Sequence, residues 1–170
     1  HWRIQSKLQS RYPEIEKTCA VYAKNSIFKT PVGENINLNY LLVDSTFYDI
    51  FDFQLLRGNP YEVLNAPGKA VITEQCARRL FGNVDPMGKS IFFNDSTTLT
   101  VSGIMAPMKN TCIQNINKKE TDMVARFELI KQINPSCIVE TMDNATGSDI
   151  YILTRHGSNL PAKIADMKKY

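Results

Sequence analysis

Apolar and polar positions along the chain switch between the two spacings that separate helix from strand. Ile4 and Leu8 stand one helical turn apart, and Pro13 cannot continue a helix, so residues 1–12 read as an amphipathic helix. Ile36, Leu38, Tyr40 and Leu42 recur at every second position and predict a half-buried strand. Asp44 follows as the cap of a short helix that carries Phe47, Tyr48 and Phe51 on its buried side. Residues 53–56 form a second short apolar run, stopped by Arg57-Gly58-Asn59-Pro60. A polar loop through Asn65-Ala66-Pro67-Gly68 comes next.

The strongest helix signal lies just beyond. Lys69-Ala70-Val71-Ile72 reads as a short strand and Thr73 as an N-cap. Cys76, Ala77, Leu80 and Phe81 make the apolar stripe, and Gly82 sits where a left-handed C-cap is wanted. Asp85-Pro86-Met87-Gly88 has the residue types of a turn. Strands at 90–93 and 99–105 then meet at Asn94-Asp95-Ser96. Residues 107–121 read as a polar loop. From 123 to 133 the pattern supports two readings: Val124, Phe127 and Ile130 share helical spacing, and an extended segment fits as well. Ile138-Val139 is a short strand, 144–148 a turn and 150–153 a strand. A final helix starts at Ser158 or Asn159, with Leu160, Ile164 and Met167 on one face. Helices mixed with short strands, without repeats, place the chain in the α+β or α/β class.

The 170 residues suit one domain or two small lobes. With 43% hydrophobic and 22% charged residues the chain has enough apolar surface for a core, which argues against disorder. No apolar run approaches the roughly 18 residues of a membrane span. A net charge of +3, with basic residues mostly in pairs such as Arg78-Arg79, is too mild and too scattered for a nucleic-acid face. Four cysteines (Cys19, Cys76, Cys112, Cys137) are too far apart for a zinc or C-x-x-C motif. Buried thiols and disulfides both remain open for them. Both ends carry helices that read as cut from a longer chain.

Candidate chemistry is sparse. The histidines are His1, at the end, and His156, beside a glycine in a turn. No G-x-S-x-G, H-E-x-x-H, P-loop or G-x-G-x-x-G is present. Asp44, Asp49 and Asp52 are spaced so as to scatter around a short helix; Asp44 reads as a cap, and Asp49 and Asp52 as a wet face. Phe47, Tyr48, Phe51 and Phe53 read as core, and Arg78-Arg79 as a solvated helix end that suits the helix dipole. The residues by themselves thus point to no enzyme: no catalytic set, no metal site and no cofactor site.

The middle of the chain resembles a known family. Val43-Asp44-Ser45-Thr46-Phe47-Tyr48-Asp49-Ile50-Phe51-Asp52-Phe53-Gln54-Leu55-Leu56-Arg57-Gly58 is similar to the segment that opens the central part of a MacB-type extracytoplasmic domain. The likeness continues through Ala70-Val71-Ile72-Thr73-Glu74-Gln75-Cys76-Ala77-Arg78-Arg79-Leu80-Phe81-Gly82 and Asp85-Pro86-Met87-Gly88-Lys89. It closes on Thr100-Val101-Ser102-Gly103-Ile104-Met105. The order and spacing match over about residues 40–106, and residues 149–170 look like the family's closing unit, whereas 110–146 match poorly. Such domains belong to ABC transporter permeases of the MacB/FtsX class.

The resemblance implies an α+β domain of two lobes: a porter-like α/β lobe from residues 1–43 and 109–170, and an inserted strand-rich lobe from 44–108. Asp44, Phe47, Phe51, Gly58, Leu80, Phe81, Gly82, Gly88 and Gly103 are the motif residues, and their implied roles are mainly structural. The domain would lie on the periplasmic side of a bacterial cytoplasmic membrane, held by transmembrane helices outside this chain. ATP would be bound by a separate cytoplasmic ABC ATPase, with no cofactor here. The implied partners are that ATPase, a second permease copy and a periplasmic adaptor or effector, with no nucleic acid. The implied function is to turn cytoplasmic ATP hydrolysis into conformational work on a periplasmic substrate or partner: efflux, lipoprotein release or control of a cell-wall hydrolase. The alternative is a stand-alone extracytoplasmic module that senses a ligand or binds a protein. For the permease reading, the polar, irregular stretches at 59–69 and 108–120 are the candidate contact surfaces.

Overall fold

The computed structural model describes residues 2–93, 97–108, 113, 120–133, 136 and 148–167. Helix α1 (Trp2–Arg11) stops before Pro13. Strand β1 (Ile15–Lys29) follows, then β2 (Asn35–Val43), helix α2 (Phe47–Ile50) and β3 (Leu55–Arg57). After the 59–68 loop come β4 (Lys69–Thr73), α3 (Glu74–Phe81), β5 (Ser90–Phe92) and β6 (Thr98–Met105). The last elements are β7 (Met123–Arg126), α4 (Ile130–Ile133), β8 (Ser148–Thr154) and α5 (Ile164–Met167), with 3-10 turns at Phe127–Leu129 and Leu160–Lys163. The turn at 94–96, the strand at 138–139 and most of the segments at 107–121 and 144–148 lie outside the described residues.

Among the described residues eight strands form one sheet in the order β2-β7-β4-β6-β5-β1-β8, with β3 on β6. Strand β1 also pairs with β2, from Val21 opposite Val43 to Lys29 opposite Asn35, so the path returns on itself. Its first half pairs with β8, and Lys29 meets Phe92 of β5. Strands β4, β5 and β6 come from the 44–108 stretch, yet β4 pairs with β7 and β5 with β1. The mixed helix-and-strand content is the α+β class expected from the sequence.

Side-chain alternation fills two cores, one on each face of the sheet. Leu38, Tyr40 and Leu42 of β2 enter one, with Ala70, Ile72, Leu99, Val101, Met123 and the α3 stripe Cys76, Ala77 and Leu80. Leu41 and Val43 enter the other, with Val21, Phe47, Leu64, Val71 and Val124. Strand β2 was expected to be half-buried. Its last four residues are buried instead on both faces, because β2 runs between β1 and β7 with packed elements on either side.

Helix α3 follows its local signals. Thr73 is the N-cap, its hydroxyl accepting the Cys76 N–H at 3.1 Å, and Gly82 closes the helix at φ +59°. The 123–133 segment divides between the two open readings: β7, then a 3-10 turn leading into α4.

Strand β6 carries a bulge. Ala70 faces Val101 and Val71 faces Gly103, so Ser102 is the extra residue. Its hydroxyl lies 2.5 Å from the Val63 carbonyl and 3.1 Å from that of Ala70. The 59–64 loop therefore lies close against β6. A Cβ on Gly103 would stand 2.8 Å from Val63 Cγ1 and 3.1 Å from the Arg57 carbonyl. Gly58, at φ +106°, faces the same crowding, with Val63 Cγ1 at 2.6 Å from a Cβ. Gly103→Ala should overpack this contact and destabilise by about 1–3 kcal/mol. Chemical denaturation checks it, and an unchanged midpoint would contradict the packing described.

Candidate functional site

Asp44 ends the strand that β2 builds and is buried, with 8% of its surface exposed. It was expected to cap the short helix. The residue before α2 is instead Thr46, whose side chain makes no capping bond. The two oxygens of the Asp44 carboxylate divide between the sheet and the turn that leads into α2. Oδ2 accepts the Ala20 N–H at 2.8 Å and the Gln5 Nε2–H at 3.0 Å. Oδ1 accepts the Thr46 N–H at 3.0 Å, and the Thr46 hydroxyl lies between Oδ1 and the Thr18 carbonyl at 2.5 and 2.6 Å. One carboxylate thus joins α1, β1 and the start of α2. Among the described residues no cation pairs with it.

Beside this junction, α2 and the 60–65 loop enclose a cavity of about 510 Å³, with Asp44, Tyr48, Asp49, Tyr61 and Arg126 in its lining. Its size falls within the range of small-molecule sites. Of the aromatic set expected in the core, Phe47 is buried while Tyr48, Phe51 and Phe53 are partly buried against it, and Phe47 and Tyr48 line the cavity: Phe47 is 1% exposed and stacks at 5.5 Å on Phe53, which stacks on Phe51 at 5.7 Å. Tyr151 of β8 meets Phe51 edge-on at 5.1 Å. Burial pushes the Tyr48 phenol up, and its buried hydroxyl has no partner among the described residues. Arg126 reaches from the end of β7, donating to both Glu128 carboxylate oxygens (2.8 and 3.1 Å) and to the Leu64 carbonyl (3.2 Å). Burial pushes the Glu128 carboxyl up, but the hydrogen bonds and charge of Arg126 outweigh it and leave the group below its usual range. Asp49 pairs with Lys17 at 2.9 Å.

The remaining motif residues lie apart from this cavity. Leu80 is buried in the α3 stripe and Phe81 packs at its edge. Gly82 is the α3 C-cap, Gly88 (φ +73°) ends the Asp85 turn, and Gly58 and Gly103 meet at Val63. His156 is exposed in its turn. Arg79, expected at a solvated helix end, holds Asp122 at 2.7 Å and the Asn37 carbonyl at 2.9 Å, because Asp122 is placed by the β2 edge. Among the described residues no group of His, Cys, Asp and Glu is arranged to hold a metal.

Cys19 and Cys76 are unbridged, fully buried and in opposite cores. Burial pushes both thiols up, with Asp44 adding to it at Cys19 and Asp122 at Cys76. A thiol reagent mapped by mass spectrometry should leave both unlabelled in the folded chain and label both after denaturation.

The two ends of the described chain meet. Leu8, Tyr12, Ile15 and Leu160 form a third apolar cluster. Arg11 donates to Asp166 at 3.1 and 3.2 Å, Tyr12 donates to the same carboxylate at 2.6 Å, and Lys163 pairs with Glu14. Ile164, expected on the buried face, is 49% exposed. The reason is the 3-10 turn: at three residues per turn, Lys163 rather than Ile164 returns to the face of Leu160. Asn159 precedes that turn without a side-chain capping bond.

This fold has known counterparts. A domain of a protein described as a permease, from Porphyromonas gingivalis, superposes with a TM-score of 0.74 at 20% identity, over 97% of this chain and 68% of that one. The periplasmic region of MacB from Actinobacillus actinomycetemcomitans gives 0.68 at 14% identity, over 99% and 71%. The extracellular domain of the ABC-type transporter YknZ from Gram-positive bacteria gives 0.64 at 14%, over 97% and 76%. No curated protein matches the sequence. The family model described as the MacB-like periplasmic core domain matches residues 3–170. With nearly the whole chain matched, the protein is a member of the MacB-like periplasmic core domain family.

Proposed function

We propose that this chain is the extracytoplasmic part of an ABC transporter permease, coupling ATP hydrolysis by a separate cytoplasmic ATPase to movement on the periplasmic side of the membrane. The observation that carries the reading is the family match over residues 3–170. Among the described residues no helix is long and apolar enough to cross a membrane, so membrane attachment would come from segments outside this chain. The joined ends support a mechanical role. Force arriving through α1 reaches the sheet by the Gln5–Asp44 bond and reaches α5 by the Arg11–Asp166 pair. The work would be done as a dimer with a second permease copy, on a substrate or a periplasmic adaptor or effector, with no cofactor bound here.

The pairing between the ends is expected to weaken in acid. Lys163 holds the Glu14 carboxyl below its usual range. A group depressed in the folded state stabilises fully above its ordinary range, and that contribution is lost as pH falls from there through the lowered folded value. To test the proposal, an epitope inserted in the exposed Arg155-His156-Gly157 turn of the parent protein would be probed on intact spheroplasts, and the protein then purified. Antibody access without lysis, together with a co-purifying ABC ATPase, is the expected result. An epitope reached only after lysis, or a parent protein found outside the membrane, would refute it.

A further inference from the structure

The cavity between α2 and the 60–65 loop has a chemistry that the coupling role does not use. Its rim is built from Tyr61, whose side chain lies open with 86% of its surface exposed, beside Pro60. An exposed aromatic ring at the mouth of a cavity offers a face for stacking or for a cation. The wall behind it is held in place before any ligand arrives. Val63 N–H bonds to the Asn59 carbonyl at 2.9 Å, Ser102 bonds to the Val63 carbonyl, and Arg126 bonds to the Leu64 carbonyl. A preformed wall lowers the ordering cost of binding.

Charge then selects among ligands. Three carboxylates (Asp44, Asp49 and Glu128) stand at or beside the cavity against two cations, Lys17 and Arg126. Both cations are engaged: Lys17 with Asp49, and Arg126 with Glu128 and the Leu64 carbonyl. Among these groups the carboxylates outnumber the cations by one, so the net charge around the cavity favours a cation over an anion. The carboxylate left without a cation is Asp44. Its oxygens are already occupied by Ala20, Gln5 and Thr46, so it acts on the cavity through its field rather than by contact. That field is felt nearby, since Asp44 is among the groups that raise the Arg126 guanidinium. Asp49, 41% exposed at its side chain, meets Lys17 through Oδ2, and its Oδ1 takes no part in that pair.

We propose that this cavity binds an organic cation, an ammonium group carried on an apolar or aromatic body, with the body against Tyr61 and Pro60 and the charge toward Asp49. The same group could come from a small amine or from a lysine side chain of a polypeptide. The probe is benzyltrimethylammonium, titrated into the 170-residue chain and followed by amide chemical shifts. Saturable binding is expected, with shifts centred on Ser45, Tyr61 and Asn65, weakening as ionic strength rises. Benzyl alcohol, which keeps the ring and loses the charge, should bind about tenfold more weakly. Tyr61→Ala changes only an exposed side chain and should weaken the cation about fivefold with folding intact. A Lys-Phe dipeptide amide that competes more tightly than the probe would assign the cation to a polypeptide; weaker competition would assign it to a small amine. Equal binding of benzyl alcohol, a stronger response to benzoate, absence of saturation, or an unchanged affinity in Tyr61→Ala would each overturn the proposal.

Discussion

Phe47→Ala is expected to lower the unfolding free energy by about 3–5 kcal/mol, the largest loss of any single side chain considered for this protein. Phe47 is 1% exposed and sits at the centre of an aromatic group, with Tyr48 at 5.3 Å, Phe51 at 5.1 Å and Phe53 at 5.5 Å between ring centroids. Removing it leaves a hole bounded by those rings and by Val124 and Leu64 across the sheet face. Phe47 and Tyr48 belong to a helix of a single turn, and Phe51 and Phe53 to the segment that leads from it into β3. Urea denaturation checks this. A drop below about 1 kcal/mol would mean that the site collapses on itself, contrary to the close packing argued here. Phe47→Leu should recover much of the loss, since volume rather than aromaticity makes the largest contribution.

The second large effect is expected at Asp44. Asp44→Ala leaves the buried Ala20 N–H without an acceptor, frees the Gln5 amide and loosens the Thr46 turn. An unpaired buried donor costs about 1–3 kcal/mol, and the total should reach about 3 kcal/mol. Asp44→Asn is the informative companion. It preserves shape but places an amide N–H₂ among groups that donate, so it should recover little of the loss. If Asp44→Asn behaved like the native protein, the donor network would not be what holds the carboxylate. Proteolysis offers a second readout: because Gln5 is bonded to Asp44, α1 should be released and cut earlier in both variants.

Local signals account for much of the fold. Helix α3 carries its own start and stop: Thr73 bonds to the Cys76 N–H, an apolar stripe follows, and Gly82 ends it. Each of those features acts within a few residues, so the pattern along the chain is enough to place them. Strand β1 has no such signature. Residues 18–22 are buried on both faces, so the period of two that would mark a strand is erased, and the pattern reading assigns no element there. Ile164 fails for a related reason. Its spacing from Leu160 presupposes an α-helix, and a 3-10 turn at Leu160–Lys163 rotates it outward.

The candidate site was less legible than the fold. The stretch at 59–69 stood out as polar and irregular, and Asp44 and Phe47 as motif residues. Nothing in their spacing showed that residues 44–49, 60–65 and 126 share one cavity. Arg126 was not singled out at all, because its role depends on Glu128 and on a carbonyl 62 positions away in sequence.

From the sequence alone come the class of fold, the capped helix, most of the short strands, the motif order that places the chain in its family and the absence of a recognisable catalytic motif. These depend on neighbours within a turn or two, or on the order of such pieces. Tertiary structure alone decides that the sheet path returns from β2 to β1, that Asp44 is a buried junction rather than a cap, that Arg79 is bound to Asp122, and that the two ends meet. Each of these needs partners brought together from distant parts of the chain. Burial then sets their strength, since a carboxylate surrounded by donors away from water is held far more firmly than the same group on a wet helix end.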